Sequence, residues 1–248
     1  MQQTLTLVII YRICRILLHT LLGLAIAAFV WPFVGKPRKQ ALTMWWCKLL
    51  LNCFNIQVIT HGTAPNGVHS SMFVANHVSW ADIHALNSII PLRFIAKLEI
   101  KNWPIFGYLV KKSDTIFIDR TTRKDAARIV KIATETLVSG DNVGFFPEGA
   151  TTEGTHLLPF KSSILQSAIN AKATILPVAI RYSKPNGSVN LAMAYAGDMT
   201  LGESMMRVLK QKNPVVELHF LAPITLPGVN RQAASTAAYT AISNALGF

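Results

Sequence analysis

The stretch Met72-Phe73-Val74-Ala75-Asn76-His77-Val78-Ser79-Trp80-Ala81-Asp82 decides how this chain is read. Four apolar residues of strand length run into an Asn-His pair, and Ser79-x-x-Asp82 then opens a helical pattern over 81–90. Outward from it the same alternation continues. Apolar runs of strand length fall at 56–59, 94–96, 115–118, 143–146, 175–180 and 215–220. Helical patterns fall at 124–138, 162–170 and 232–246. Strands alternating with helices predict an α/β fold with a mixed, largely parallel sheet flanked by helices, because runs apolar throughout need cover on both faces. Pro177 within 175–180 predicts an edge strand or a bulge there. No linker divides residues 55–248, which read as one domain.

Residues 1–54 read differently, as a membrane anchor. From Ile16 to Val34 no residue is charged; Arg12 and Arg15 precede this run, and Lys36, Arg38 and Lys39 follow it. About 20 apolar residues cross a bilayer as a helix, so one span and two shorter helices dipping into one leaflet fit equally well. A second apolar stretch, 42–54, carries Trp45 and Trp46 as expected interfacial anchors. A cleaved signal peptide ending near Ala25-Ile26-Ala27 fits less well, since the apolar run continues past it.

Composition supports this division. The 248 residues are 51% hydrophobic and 15% charged, which excludes intrinsic disorder, and the net charge is +12. Residues 1–81 contain no Asp or Glu, so the basic excess begins in the apolar segment and favours anionic lipid over nucleic acid as partner. Cys14, Cys47 and Cys53 form no metal-binding or disulfide pattern.

Three segments offer chemistry, each where a strand gives way to a loop. In the first, Asp82 is close enough in sequence to hold one nitrogen of His77, leaving the other to take a proton from a hydroxyl. The same Asp82 also completes a capping box with Ser79. His84 adds a second reading, a metal-dependent hydrolase built on His77, Asp82 and His84. In the second segment, Phe117-Ile118-Asp119-Arg120 puts a guanidinium at a strand end, suited to an anion or to a surface ion pair. In the third, Phe146-Pro147-Glu148-Gly149 follows a strand, so Glu148 is expected to emerge at the same sheet edge and accept hydrogen bonds from substrate hydroxyls. Signatures of serine hydrolases, nucleotide loops and zincins are missing.

Taken in order, Asn76-His77…Asp82, Phe117…Arg120, Phe146-Pro147-Glu148-Gly149 and Leu176-Pro177-Val178 resemble the glycerolipid acyltransferase family that includes lysophosphatidic acid acyltransferases. The resemblance implies transfer of an acyl chain from acyl-CoA or acyl carrier protein to the free hydroxyl of a lysolipid. It implies lysophosphatidic acid as the first acceptor, with lyso-ornithine lipid or another lysophospholipid as alternatives. His77 would be the general base oriented by Asp82. Arg120 would hold the phosphate, Lys97 would lie near the phosphate or the oxyanion, and Glu148 with Gly149 would position the glycerol. Co-substrates apart, no metal or cofactor is implied, and the expected place is the cytoplasmic face of the inner membrane. The chain departs from the family at Ala150-Thr151-Thr152, where many members have Thr-Arg-Ser; this leaves the acceptor open.

Overall fold

The computed structural model describes residues 5–63, 67–119, 123–225 and 230–248. Strands β1 (Gln57–His61), β2 (Ser71–Ala75), β3 (Leu92–Lys97), β4 (Ile116–Ile118), β5 (Asn142–Phe145), β6 (Thr174–Ser183) and β7 (Val215–Phe220) form one sheet in the order β1-β7-β6-β2-β5-β3-β4. Five strands, from β6 to β4 in that order, run parallel; β7 turns back antiparallel to β6 and pairs in parallel with β1. The sheet is mixed and largely parallel, as the alternation predicts.

The two-residue period of a strand separates two cores. Phe73 and Ala75 of β2 face a core that takes in α1 (Thr6–Ala25), α2 (Lys36–Cys53) and α3 (Ala81–Asn87). Met72 and Val74 face α5 (Arg123–Val138), α6 (Gln166–Asn170) and α8 (Arg231–Leu246). Every residue of β2 and β5 is buried, the physical reason their sequences lack polar alternation. Pro177 is neither on a sheet edge nor at a bulge, since the β2–β6 register runs through it unbroken. It pairs with Val74 in the interior strand β6. The β6–β7 ladder ends beside it at Val178↔Phe220: its carbonyl still accepts from Leu221 N–H at 3.0 Å, but with no N–H of its own it returns no bond.

Two helices lie outside the helical patterns read from the sequence. α4 (Phe106–Lys112) is a short helix entered through Ile105, held at φ 63°. α7 (Leu201–Leu209) starts with a reciprocal capping box: Glu203 N–H donates to Thr200 Oγ1 at 3.3 Å and Thr200 N–H to Glu203 Oε2 at 2.8 Å.

At the N-terminus, α1 (Thr6–Ala25) begins well before the uncharged run and continues through a π turn (Ile26–Val30) and a 3₁₀ turn (Trp31–Phe33). After Gly35 the chain doubles back as α2 (Lys36–Cys53), with Pro37 in its first turn. The stretch Thr6–Phe33, 28 residues, is long and apolar enough to cross a membrane. Its buried stripe, Arg12, Ile16, His19 and Gly23, follows helical spacing toward the domain, while Leu17, Leu18, Leu21, Phe29 and Phe33 lie exposed. Trp46 is no interfacial anchor. It stacks on His19 at 4.6 Å and lies against Gly23, where a Cβ would come within 2.6 Å of its Nε1. Trp45 remains exposed.

Arg12, read above as a flanking headgroup charge, is instead only 5% exposed. Its Nη1 donates to the carbonyls of Leu209 (2.9 Å) and Gln211 (2.6 Å), and Nη2 to Lys212 (2.9 Å). These are carbonyls at and just past the C-terminus of α7, which a helix leaves without internal partners. Arg12→Ala is expected to cost about 2–4 kcal/mol, since three charge-assisted bonds vanish from a buried place. Thermal unfolding in detergent checks this, with the exposed Arg38→Ala expected to leave the transition unmoved.

Candidate active site

β2 ends at Ala75, and the next residue extends its ladder by side chain. Asn76 Nδ2 donates to the Ile180 carbonyl at 2.9 Å and its Oδ1 accepts from Ile180 N–H at 2.7 Å. The turn this pins carries His77. Its Nδ1 lies 2.8 Å from Asp82 Oδ2, and the imidazole stacks on the Phe146 ring at 4.0 Å, nearly parallel. Phe146 in turn stacks on Phe94 at 5.4 Å.

Asp82, in the first turn of α3, is fully buried and satisfied from four directions. Oδ2 accepts from Val78 N–H (2.8 Å) and Ser79 N–H (2.9 Å) as well as from His77, and Oδ1 accepts from the Tyr182 hydroxyl at 2.6 Å. The same carboxylate orients the imidazole and accepts from Ser79 N–H, but the reciprocal half of the capping box is not made: Ser79 Oγ accepts from Ala81 N–H at 3.4 Å, and Asp82 N–H donates to the Ser79 carbonyl at 3.2 Å. Burial, followed by the charge of Asp82, pushes Tyr182 well above the ordinary tyrosine range, so the hydroxyl keeps its proton and donates. A carboxylate at Nδ1 fixes the proton there and leaves the lone pair on Nε2. The His77 side chain is 19% exposed, and among the described residues no hydrogen bond reaches Nε2. Such an imidazole can accept a proton from an approaching hydroxyl.

Glu148 does not reach the surface. It is 4% exposed; Oε1 accepts from His77 N–H at 2.7 Å and Oε2 from Leu158 N–H at 2.9 Å. Burial raises its pKa above the ordinary Glu value, and the two backbone bonds partly oppose the shift. Its loop is closed on itself, joined once more to the His77 turn and linked to a third loop that also holds that turn. Gly149 N–H donates to Phe146 carbonyl at 3.2 Å, with Gly149 at φ 79°, and Thr152 N–H donates to His77 carbonyl at 2.8 Å. The Thr151 hydroxyl donates to the Tyr195 carbonyl, and Tyr195 N–H to the Val78 carbonyl at 2.8 Å. Thr151, standing where the resembling family has Arg, thus ties down a third loop.

Lys97 is exposed at the carboxyl end of β3, opposite Ile118 of β4. Since β2, β5, β3 and β4 run parallel, that end lies along the same sheet edge as His77. Arg120 lies outside the described residues. The residue before it, Asp119, donates its N–H to Asp125 Oδ2 at 2.5 Å, which ties the end of β4 to the first turn of α5.

His84 does not join His77 and Asp82. It points to α2, its Nδ1 3.6 Å from Cys47 Sγ, beside Trp46 and Trp80. Two positions along a helix from Asp82, it faces another way, and the three side chains form no metal-ligating set. Next to His84, a cavity of about 190 Å³ lies between the end of α1, α2, β3 and α4, lined by Ala27, Trp46, Ile83, Phe94, Phe106 and Leu109 among others.

Three comparisons bear on this site. The profile of the family described as Acyltransferase matches residues 55–181. The 1-acyl-sn-glycerol-3-phosphate acyltransferase of Neisseria gonorrhoeae is 43% identical over 157 residues, 63% of this chain and 60% of that protein, so the match spans about three fifths of the relative. The lyso-ornithine lipid O-acyltransferase of Pseudomonas aeruginosa is 35% identical over 244 residues, 96% of this chain and 93% of that one. The crystal structure of the 1-acyl-sn-glycerophosphate acyltransferase PlsC from Thermotoga maritima superposes with a TM-score of 0.65 at 20% identity, over 95% of this chain and 96% of that one, and shares the fold. With profile and full-length relative in agreement, the chain belongs to the Acyltransferase family.

Tyr182→Phe leaves one buried oxygen of Asp82 without its donor. It is expected to lower stability by about 1–3 kcal/mol and to reduce turnover more than substrate affinity; unfolding and steady-state kinetics on one preparation check both. His84 gives a pH dependence. Burial, reinforced by His19, lowers its pKa from 6.5 to about 4. Between those values the unfolded chain binds a proton that the folded one excludes, so stability rises with pH across the window and is lost as pH falls through it. The loss is expected to be on the order of 3 kcal/mol, and His84→Gln should flatten that limb of a denaturation-versus-pH curve.

Proposed function

We propose that the protein is a membrane-bound O-acyltransferase that moves an acyl chain from an acyl thioester, acyl-CoA or acyl carrier protein, to the free hydroxyl of a lysolipid. The observation that carries this is the His77–Asp82 pair at 2.8 Å with Nε2 unengaged, in a chain of the Acyltransferase family. Nε2 takes the hydroxyl proton as the oxygen attacks the thioester carbonyl. Asp82 stabilises the imidazolium so formed. The tetrahedral adduct expels the thiolate, which receives the proton back from His77, so no acyl-enzyme, metal or redox cofactor is needed.

The remaining roles follow the same reading. The apolar cavity, whose Phe94 wall stacks on Phe146 and through it on His77, is suited to the acyl chain. Lys97 and Arg120 would hold the acceptor's anionic head. Glu148 and Gly149 would act by holding the His77 turn, from which the acceptor's glycerol is positioned. The exposed apolar face of α1 would lie in the bilayer at the cytoplasmic face of the inner membrane, where both thioester donors occur. Lysophosphatidic acid is the first acceptor. Lyso-ornithine lipid is the second, favoured by the Pseudomonas relative that matches nearly end to end.

Labelled acyl-CoA and acyl carrier protein incubated with a panel of lysolipids test this directly. His77→Ala and Asp82→Asn are expected to reduce transfer by roughly 10²–10⁴-fold while membrane binding persists. Unchanged turnover in purified His77→Ala refutes the assigned base.

A further inference from the structure

Away from His77, the described residues hold a second cluster of ligating side chains on the far side of the sheet: His61 of β1 with Glu217 and His219 of β7. The parallel register pairs Ile59 with Glu217 and His61 with His219. The two-residue strand period therefore puts all three side chains on one face. His61 Nε2 lies 3.0 Å and His219 Nε2 3.8 Å from Glu217 Oε2, and all three ligand atoms fall within 4.8 Å of one another. The two imidazoles stack at 4.3 Å. His219 Nε2 is buried and has no hydrogen-bond partner.

We infer that His61, Glu217 and His219 bind a divalent transition-metal ion of the zinc class. Two imidazoles and one carboxylate, without thiolate, form the donor set that suits such ions rather than calcium or magnesium. Bonds of about 2.0–2.2 Å in a tetrahedron put ligand atoms roughly 3.3 Å apart; the present spacings reach that by turning the two rings out of their stack. His61 is exposed, which leaves an approach for the ion and a fourth position for water. Arg181, opposite Glu217 in register, donates to the Gly187 carbonyl at 3.0 Å, and its charge moderates the affinity. The ion would fasten edge strand β1, the first strand after the membrane helices, to β7. It is not part of the acyl-transfer chemistry.

The test uses untagged full-length protein in detergent, stripped with chelator. Co²⁺ is titrated while its visible absorption is followed, and Zn²⁺ is then added. One ion per chain, displaced by Zn²⁺, is expected. His61→Ala and Glu217→Gln should each weaken binding by roughly tenfold or more, whereas His69→Ala, an exposed histidine elsewhere, should not. Zn²⁺ should raise the unfolding temperature of the wild type and not of His61→Ala. No uptake by the wild type, or equal uptake by His61→Ala and Glu217→Gln, overturns the inference; because His61 is exposed on an edge strand, its substitution leaves the fold intact for the comparison.

Discussion

A single buried carboxylate organises this molecule. Asp82 accepts from an imidazole, two backbone N–H groups and a tyrosine hydroxyl, with every distance between 2.6 and 2.9 Å. An anion fully out of water is tolerated only when its lone pairs are used in this way. The donors come from the turn after β2 and from β6, elements a hundred residues apart in sequence. Satisfying the charge therefore fixes where β6, the turn and α3 sit relative to one another. The orientation of His77 follows from that requirement.

A second buried carboxylate repeats the principle at the next strand end. Glu148 joins the His77 N–H to the Leu158 N–H, so the loop after β5 is fastened to the turn after β2 through one residue. Phe146, beside it, stacks on His77 and on Phe94. Gly144 is the condition for that stack, because a Cβ there would meet the Phe94 ring at 2.5 Å. The imidazole is thus held at its edge by a carboxylate and on its face by an aromatic ladder, with its far nitrogen outward.

Much of this was legible in the sequence because it is local. The His77–Asp82 pair is one turn of chain, and the strands reveal themselves as short apolar runs. What was hidden is non-local or compact. Tyr182 carries no mark in sequence beyond following an apolar strand, and only the β2–β6 pairing brings its hydroxyl to Asp82. The Asn76 bonds to Ile180 are of the same kind. Glu148 was placed at the correct strand end with its direction reversed, since sequence gives position along a strand and not which backbone donors await the side chain. α7 was readable in principle from Thr200-x-x-Glu203, whereas α4 is too short for a periodic signal. Arg12 misled through its charge, which marks a membrane flank in composition and a helix cap in space.

That last contact has a consequence for how the enzyme sits. Because Arg12 grips the carbonyls at the end of α7 rather than water or headgroups, the first helix is a strut and not a tether. A flexible leash of equal greasiness would keep the body near the bilayer yet let it tumble. A strut transmits orientation, so in the membrane-bound enzyme proposed above the depth at which the outward leucines and phenylalanines settle would set the height and tilt of the His77 edge over the lipid, and grafting a foreign anchor would preserve attachment while losing aim.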